Sequence, residues 1–242
     1  MLATESKLPV EGGAEKRRYI RGMFAAIAPS YDRLNRIISL SLDRRWRRQG
    51  VRGLGWERAP GGTYLDLCAG TLDFGAELSG QPGFLGRVFG ADFVPEMLRL
   101  GRHKAAALRP VTADALELPF AHSSFDGAMV GWGMRNLTDL DAGLREVARV
   151  LKPGARLVIV EASIPARQPL RSLFLFYFEK ILPTIGGLLS HHSTAYRWLP
   201  ESTRAFPSPE AVAERMARTG FREVSIARFL GGVTVLHVGT KA

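Results

Sequence analysis

The sequence predicts an α/β protein, with a mostly parallel seven-stranded sheet, helices on both faces and a final strand that runs antiparallel. From residue 63 onwards, short apolar runs alternate with amphipathic helical segments, which is the pattern of a parallel sheet built from βα units. Residues 223–229 and 233–239 are two strand-like runs joined only by a short turn around Gly231 and Gly232. So short a connection requires these last two strands to pair antiparallel.

The individual elements follow from the spacing of apolar residues and from the turn residues between them. Apolar runs predict the first five strands, at residues 63–67, 87–92, 110–114, 124–132 and 155–162. Helical spacing predicts helices over residues 73–79, 94–108, 138–151, 169–190 and 208–220. Thr138 and Ser208 are the expected N-caps of two of these helices, and residues 152–155 (Lys-Pro-Gly-Ala) are the expected turn into the fifth strand.

The chain also divides into regions. Residues 1–15 lack an apolar period and predict a disordered tail. Residues 16–62 predict an N-terminal helical cap that is broken near Pro29 and ends in a Gly/Pro-rich linker. Residues 63–242 then form the main domain, with a lid or substrate insertion at about 165–207.

Composition excludes several classes of protein. No run of 18 apolar residues occurs, which argues against a transmembrane span, and residues 1–19 lack the apolar core of a signal peptide. The only cysteine, Cys68, cannot form an internal disulfide, which fits a reducing cytoplasm. We therefore expect a cytoplasmic protein and leave contact with the inner face of the membrane open.

The net charge of +10 is concentrated near the N-terminus. Residues 1–60 carry 13 lysines and arginines against 6 acidic residues, and residues 44–52 are the densest basic patch. Such a patch attracts polyanions, either nucleic acid or an anionic membrane surface. A solvated helix face without any partner is an equally good interpretation.

Three aspartates, Asp66, Asp92 and Asp114, lie in or at the ends of the first three predicted strands. Because ligands bind outside the carboxyl ends of parallel strands, we expect them to border one site together with Gly131, which ends the fourth strand. Three carboxylates would repel a pyrophosphate, but they suit a cationic sulfonium that carries an amino group, a ribose and an adenine. The sequence thus predicts S-adenosylmethionine as the ligand, although Asp66 could instead brace the turn.

Each of the other residues at this edge has an expected role. Gly70 lets the backbone approach the cofactor, Asp92 accepts both ribose hydroxyls, and Asp114 accepts the adenine amino group. Ala115 offers a backbone N–H to the adenine ring. Met97 packs on the adenine face, or alternatively belongs to the core.

A parallel sheet extended by one antiparallel hairpin strand is the plan of the class I S-adenosylmethionine-dependent methyltransferases, which have a Rossmann-like fold. Within that class, the sequence resembles the ubiquinone/menaquinone biosynthesis C-methyltransferase family from about residue 20 to residue 240. Residues 23–48, 114–163 and 195–221 carry the resemblance. Its signatures are Tyr31-Asp32-x-x-Asn35, Gly133-Met134-Arg135-Asn136 and Tyr196-x-x-Leu199-x-Glu201-Ser202.

The resemblance implies S-adenosylmethionine as the cofactor and methylation of a ring carbon of a polyprenylated hydroquinone, with demethylmenaquinol preferred. The cofactor contacts that it implies are Thr71, Asp92, Asp114, Ala115 and Gly131. One departure from the family pattern is Leu72, which stands where the family usually has glycine. A branched side chain is strained there if the turn requires a positive φ.

The chemistry assigns further residues. A phenol with a pKa near 10 is mostly neutral at pH 7, so the site must favour the phenolate that makes the ring carbon nucleophilic. We assign this role to Arg135, acting directly or through water, and assign Asn136 to a substrate oxygen. A salt bridge from Arg135 to Asp139 or Asp141 is the structural alternative.

Four further side chains, two tyrosines and two histidines, are candidates for the site. Tyr31 is expected to cover the cofactor as a lid, with core packing as the alternative, and Tyr196 to line the quinone pocket. His191 and His192 could titrate near neutrality and act as a base, but a surface pair without a role is equally expected. No metal site is predicted.

The apolar stretch 169–190 predicts a lid that takes a prenyl tail from an anionic membrane surface, with a homodimer contact or a buried helix as alternatives. Nucleic acid is not an expected partner, because the Asn/Asp-Pro-Pro-aromatic loop of amino-group methyltransferases is absent after the fourth strand. A benzoquinol of ubiquinone synthesis or another lipophilic acceptor remains an alternative substrate. The alternative to an enzyme is a non-catalytic protein of the same fold that serves as a subunit of an assembly.

Overall fold

The sheet consists of seven strands, which are β1 (Thr63–Leu67), β2 (Arg87–Asp92), β3 (Leu108–Thr112), β4 (Phe125–Gly131), β5 (Leu151–Ala162), β6 (Phe221–Phe229) and β7 (Thr234–Lys241). Their order in the sheet is β3-β2-β1-β4-β5-β7-β6. Strands β1 to β5 pair parallel, whereas β7 pairs antiparallel with both β5 and β6. The predicted mostly parallel sheet with an antiparallel final strand is confirmed.

The computed structural model describes residues 8–10, 12–182 and 193–242, and for residues 193–196 it describes the backbone alone. The predicted roles of three residues therefore lie outside the described residues. They are the role of His191 or His192 as a base and the role of the Tyr196 side chain in the quinone pocket. Parts of the predicted tail and of the apolar stretch 169–190 lie outside them as well.

The described helices are α1 (Ala14–Ile27), α2 (Tyr31–Ile38), α3 (Leu42–Leu54), α4 (Asp73–Ser79), α5 (Pro95–Gly101), α6 (Leu140–Val150), α7 (Leu170–Phe176), α8 (Ser193–Ala205) and α9 (Pro209–Arg218). A π-helical segment, Tyr177–Ile181, continues α7. The predicted break near Pro29 is confirmed by a 3-10 turn between α1 and α2. Among the described helices, none is both long enough and apolar enough to cross a membrane.

Of the two predicted N-caps, one is confirmed and one is wrong. Ser208 caps α9, since its Oγ accepts a hydrogen bond from Ala211 N at 3.2 Å. Thr138 does not cap α6, because that helix begins one residue later than predicted, at Leu140. The capping position therefore falls to Asp139, whose Oδ1 accepts from Ala142 N at 2.9 Å.

Two element boundaries also differ from the prediction. The helix after β2 ends at Gly101 rather than at residue 108, because Leu108 already pairs with Val88 as the first residue of β3. Strand β5 begins at Leu151, so the predicted turn 152–155 lies inside it. The register of β5 against β4 shifts at this point, and Gly154 supplies the positive φ of 80° that such an irregularity requires.

Both faces of the sheet are covered by helices. On one face, Trp46, Val51 and Leu54 of α3 pack against Met129 of β4 and Val158 of β5. On the other face, α6 packs against β5, and α9 packs against β6, β7 and α6. The N-terminal region thus supplies α3 to the core. Its first two helices, α1 and α2, lie at the edge of the sheet where the parallel strands end.

Candidate active site

A cleft that is partly open to solvent lies at the carboxyl ends of the parallel strands. Strand β1 is flanked there by β2 and β4, and this reversal of strand order is where α/β sheets bind ligands. The cleft brings together most of the predicted site residues, which are Tyr31, Gly70, Asp92, Met97, Asp114, Ala115, Gly131 and Asn136. Among the predicted residues whose side chains are described, Asp66, Thr71 and Arg135 lie outside the lining.

Asp92, at the end of β2, is a buried carboxylate that is 8% exposed. Its Oδ2 accepts a hydrogen bond from Gly70 N at 2.8 Å, and its Oδ1 accepts from Val94 N at 2.9 Å. Burial raises the pKa of Asp92 to about 6, and the hydrogen bonds from these backbone groups oppose that shift. Each oxygen keeps a further lone pair, so the carboxylate can accept two neighbouring hydroxyls from a ligand.

Asp114 borders the same cleft just after β3. Its Oδ1 accepts from Leu116 N at 3.0 Å, and its Oδ2 lies 2.6 Å from Nη2 of Arg17 in α1. The Asp114 side chain is 25% exposed and that of Arg17 is 57% exposed, so this ion pair lies at the mouth of the cleft. The neighbouring Ala115 is buried and lines the same part of the cleft.

Gly70 forms the turn after β1, with a φ of +51°. A Cβ at this position would lie 3.4 Å from Met97 Cε and 3.8 Å from Tyr31 Cε1. Met97 is buried, and Tyr31 packs edge-on against Phe24 of α1. Burial also raises the pKa of Tyr31, so its phenol remains protonated at neutral pH. The turn, the Met97 thioether and two aromatic rings therefore share one part of the cleft.

Asp66 and Thr71 hold this turn from outside the cleft. Asp66 is 1% exposed, its Oδ2 accepts from Gly75 N at 2.8 Å, and burial raises its pKa to about 8. This geometry supports the bracing role that the sequence left open for Asp66. Thr71 donates through Oγ1 to Asp32 Oδ1 of α2 at 2.5 Å.

The contact between Thr71 and Asp32 is part of an ion-pair network. Lys104 Nζ lies 2.7 Å from Asp32 Oδ2 and also pairs with Asp73. Arg47 of α3 lies 2.7 Å from Asp43 and 3.3 Å from Asp73. Because Asp73 is the first residue of α4, the network ties the N-terminal helices to the turn that borders the cleft.

Leu72, the departure from the family pattern, has the positive φ that its position in the turn suggested. Its φ is +63° and its ψ is 22°, yet its side chain is fully buried. The Leu72 Cδ2 atom occupies the space where a Cβ on Gly90 would be, at 1.9 Å, and its Cβ would lie 3.0 Å from a Cβ on Gly101. The side chain therefore packs between β2 and α5 and does not line the cleft.

The strain and the burial of Leu72 can be separated by two substitutions. Leu72→Ala removes the buried side chain but keeps a β-carbon at positive φ, and we expect it to lower the free energy of unfolding by about 3 kcal/mol. Leu72→Gly also relieves the strain, so it should be about 1 kcal/mol more stable than Leu72→Ala. Urea unfolding measures both values. Cofactor Kd should stay within about twofold for both variants, and a larger change would place the side chain in the cleft.

Arg135 follows β4 in the 3-10 turn Met134–Asn136, and its side chain is 8% exposed. Its Nη1 donates to Glu161 Oε1 at 2.6 Å and to Trp132 O at 2.5 Å. Glu161, at the end of β5, is 2% exposed and also accepts from the backbone N of Ala162. The Arg135 Nε is buried and has no hydrogen-bond partner among the described residues.

The ion-pair partner of Arg135 is therefore Glu161 and neither of the two aspartates that the sequence suggested. Asp139 is engaged as the cap of α6, and Asp141 pairs with Arg215 of α9 at 3.0 Å. The reason is the order of the strands. Since β5 lies beside β4, its last residues reach the turn after β4 more closely than the following helix does.

Two other segments fix the turn that carries Arg135 and Asn136. Trp198 of α8 donates through Nε1 to Asn136 Oδ1 at 2.9 Å, which leaves the Asn136 amide N–H groups available to the cleft. Lys16 of α1 donates through Nζ to the carbonyl oxygens of Arg135, at 3.1 Å, and Leu137, at 2.7 Å. Lys16 is 7% exposed, and burial, with a smaller contribution from Arg135, lowers its pKa.

The sequence model of the ubiE/COQ5 methyltransferase family matches residues 13–241. The chain belongs to this family. A Deinococcus radiodurans relative named demethylmenaquinone methyltransferase is 43% identical over 244 residues, which cover 99% of this chain and 100% of that protein. A Geobacter sp. (strain M21) relative named ubiquinone/menaquinone biosynthesis C-methyltransferase UbiE is 42% identical over 234 residues, which cover 94% and 98%.

Two solved structures with a similar fold are more distant from this family member in sequence than these relatives are. A SAM-dependent methyltransferase from Thermotoga maritima, described as a possible histamine N-methyltransferase, has a TM-score of 0.62 at 18% identity and covers 91% of this chain and 99% of its own. Phosphoethanolamine N-methyltransferase 2 from Haemonchus contortus, solved with S-adenosyl-L-methionine, has a TM-score of 0.56 at 15% identity and covers 80% and 52%. At these identities the likeness concerns the fold, and it confirms the predicted class.

Sequence reasoning missed three residues of this ubiE/COQ5 family member that contact the site. Glu161 could have been found, because it lies at the end of a predicted strand just as Asp92 does. Lys16 and Arg17 carried no such signal. In the sequence they are two of many basic residues near the N-terminus, and only the docking of α1 shows what they contact.

Proposed function

We propose that this protein transfers the methyl group of S-adenosylmethionine to a ring carbon of a polyprenylated hydroquinone, with demethylmenaquinol as the favoured acceptor. The observation that carries the proposal is one cleft at the switch point of the sheet. It places Asp92, Asp114 and Gly70 next to the turn that bears Arg135 and Asn136. Membership of the ubiE/COQ5 family and the names of its relatives support a quinol acceptor.

The cleft offers a partner for each part of the cofactor. Asp92 accepts the two ribose hydroxyls, Asp114 accepts the adenine amino group, and the backbone N–H of Ala115 meets the adenine ring. The methionine portion lies along the Gly70 turn, which Thr71 and Asp66 hold from outside. Met97, Gly131 and Tyr31 enclose the remaining surface. Carboxylates around the cleft favour a sulfonium cation over an anionic nucleotide.

Arg135 is suited to stabilising the phenolate of the acceptor. A buried N–H without a partner costs about 1–3 kcal/mol. Because Arg135 lies outside the cleft lining, a water that accepts from Nε and bridges it to a quinol oxygen would remove this cost. The hydroquinone O–H would pass its proton to water, and the adjacent ring carbon would form a bond to the methyl as the methyl–sulfur bond breaks and S-adenosylhomocysteine leaves. The ring C–H proton would then pass to water. Asn136, which lines the cleft, donates its amide N–H to an oxygen of the quinol.

The acceptor is expected to arrive from an anionic membrane at an apolar face formed by α7 and the end of α2. Tyr177, in the π-helical segment that continues α7, donates its hydroxyl to Ile38 O at 3.0 Å. Phe174 of α7 belongs to the same apolar cluster as Ile38, so the two segments lie together. Leu40, Leu173 and Phe176 are 77%, 67% and 59% exposed. The exposed basic residues of α2 and the start of α7, which are Arg33, Arg36 and Arg171, favour anionic lipid headgroups beside this face.

Methyl transfer from labelled S-adenosylmethionine tests the function. Reduced demethylmenaquinone and a reduced demethylated benzoquinone are compared, each with a prenyl tail in phosphatidylglycerol vesicles and each as a tailless soluble analogue. We expect label in the naphthoquinol. The double variant Leu173→Asp/Phe176→Asp should lower turnover of the vesicle-bound acceptor about tenfold and leave the soluble analogue unaffected.

The matched control is Leu85→Asp, which replaces another exposed leucine, 82% exposed, in the segment before β2 and away from the cleft. Label in the benzoquinol instead would move the assignment to ubiquinone synthesis. No label in either quinol, despite calorimetric binding of the cofactor, would refute the quinol assignment. Equal losses with both acceptors in the double variant would refute the membrane-facing role of α7.

A further inference from the structure

The first turn of α1 contacts both loops that border the cleft. Lys16 donates to the carbonyl oxygens of Arg135 and Leu137 in the loop after β4. The next residue, Arg17, pairs with Asp114 in the loop after β3. Two consecutive side chains therefore join the side of the cleft assigned to adenine to the turn assigned to the acceptor.

The chain that leads into α1 is built for the same contact. A Cβ at Gly12 would lie 2.5 Å from Thr138 O, so only glycine allows the backbone to lie this close to the loop after β4. Gly13 follows with a φ of +98°, a conformation that side chains disfavour, and directs the chain into the helix. Thr138 itself lines the cleft. The two glycines thus bring the backbone close to the loop after β4, and the side chains of Lys16 and Arg17 contact the loops that border the cleft.

The two cations differ in what they contribute. The Lys16 ammonium is removed from solvent and is compensated by the partial charges of two carbonyl oxygens, so its loss would leave both acceptors without this donor. Arg17 is exposed and lines the cleft beside Asp114. Each Asp114 oxygen keeps a lone pair after its present contact, so the carboxylate can hold Arg17 and the adenine amino group together.

We propose that Lys16 and Arg17 are positioning residues that hold α1 across the bound cofactor, and that Lys16 also sets the Arg135–Asn136 turn. Both contacts should therefore slow the exchange of the cofactor. The effect on methyl transfer rests on the proposed function, but the effect on cofactor release does not. Release can therefore be tested even if no quinol is methylated.

The test measures how fast tritiated S-adenosylmethionine leaves the full-length protein after a chase with excess unlabelled S-adenosylhomocysteine, followed by rapid filtration. Lys16→Met should release the cofactor about ten- to 100-fold faster than wild type, since it loses charged hydrogen bonds from a buried site. Arg17→Gln should release it about two- to fivefold faster, as expected for a solvent-exposed ion pair. Arg18→Gln, the neighbouring exposed arginine outside the cleft lining, is the control and should match wild type.

A second readout separates positioning from general destabilisation. Lys16→Met should lower kcat for the quinol about tenfold or more with the cofactor saturating, whereas Arg17→Gln should leave kcat within about twofold. If both variants release the cofactor at the rate of Arg18→Gln, the proposal is wrong. Slower release or tighter binding in Arg17→Gln would also overturn it, because Arg17 would then compete with adenine for Asp114. Should Lys16→Met fail to fold by circular dichroism, the release rate of Arg17→Gln decides alone.

Discussion

Replacing Asp92 by asparagine should raise the Kd for S-adenosylmethionine about 100-fold or more while changing the stability of the free protein little. The carboxylate accepts from Gly70 N and Val94 N and is proposed to accept two ribose hydroxyls as well. An amide has one acceptor oxygen, so at least one charge-assisted hydrogen bond to the ribose is lost and another weakened, each worth about 1.5–3 kcal/mol. Isothermal titration calorimetry measures the effect directly.

Stability should change little because two consequences of Asp92→Asn oppose each other. Burial raises the pKa of Asp92 from 3.8 to about 6, so ionisation of this carboxylate lowers the stability of the folded state progressively between those pH values and by a constant amount above them. The amide removes that cost at pH 7. It also leaves one backbone N–H, from Gly70 or Val94, without its acceptor, at a cost of similar size.

The same pKa predicts how cofactor binding depends on pH. Protonation of Asp92 uses one of the lone pairs that the ribose needs, so affinity in the wild type should fall as the pH drops below about 6. Asp92→Asn should bind weakly at every pH. Glu96→Gln, a change of the same chemistry at a partly exposed position of α5 outside the cleft lining, is the matched control and should retain the wild-type affinity and its pH dependence. If Asp92→Asn bound S-adenosylmethionine with wild-type affinity, Asp92 would not be the residue that accepts the ribose hydroxyls.

Strand ends could be predicted from the sequence because they depend on local patterns. The apolar run before Asp92 had to enter the sheet, and parallel strands place their carboxyl ends at one edge whatever the order of the strands. That is why Asp92, Asp114 and Gly70 line one cleft. The positive φ of Leu72 could be anticipated in the same way, from the turn alone, but its burial between β2 and α5 could not.

Contacts between distant parts of the chain were beyond such reasoning. Lys16 and Arg135 are 119 residues apart, and no periodicity links an N-terminal basic residue to the carbonyls of a loop. The local sequence offers only the nearest acids along the chain, Asp139 and Asp141, as partners of Arg135. Glu161 is closer in space because β5 is the neighbour of β4, a fact that belongs to the strand order and not to local sequence. Side chains that act across elements therefore needed the structure.

Replacing Arg135 by alanine should lower kcat for the quinol about 1000-fold at pH 7, with the cofactor Kd within about threefold of wild type. The loss is that of a preorganised cationic donor at a developing oxyanion. If its role is to favour the phenolate, the deficit must shrink as the pH approaches the phenol pKa near 10, where bulk solvent ionises the acceptor unaided. A role confined to holding the turn would give the same fractional loss at every pH, so the pH profile of kcat distinguishes the two.

The buried partner of Arg135 requires a matched control. Arg135→Ala leaves Glu161, 2% exposed, as an unpaired buried carboxylate, which costs about 3–5 kcal/mol of stability and could disturb the turn by itself. In the double variant Arg135→Ala/Glu161→Gln that charge is gone, so stability should largely return while kcat stays low. Recovery of kcat in the double variant would mean that Arg135 serves only to neutralise Glu161. Glu161→Gln alone keeps the guanidinium but removes its anchor, and a partial loss of kcat there would show that the cation must be held in place to act.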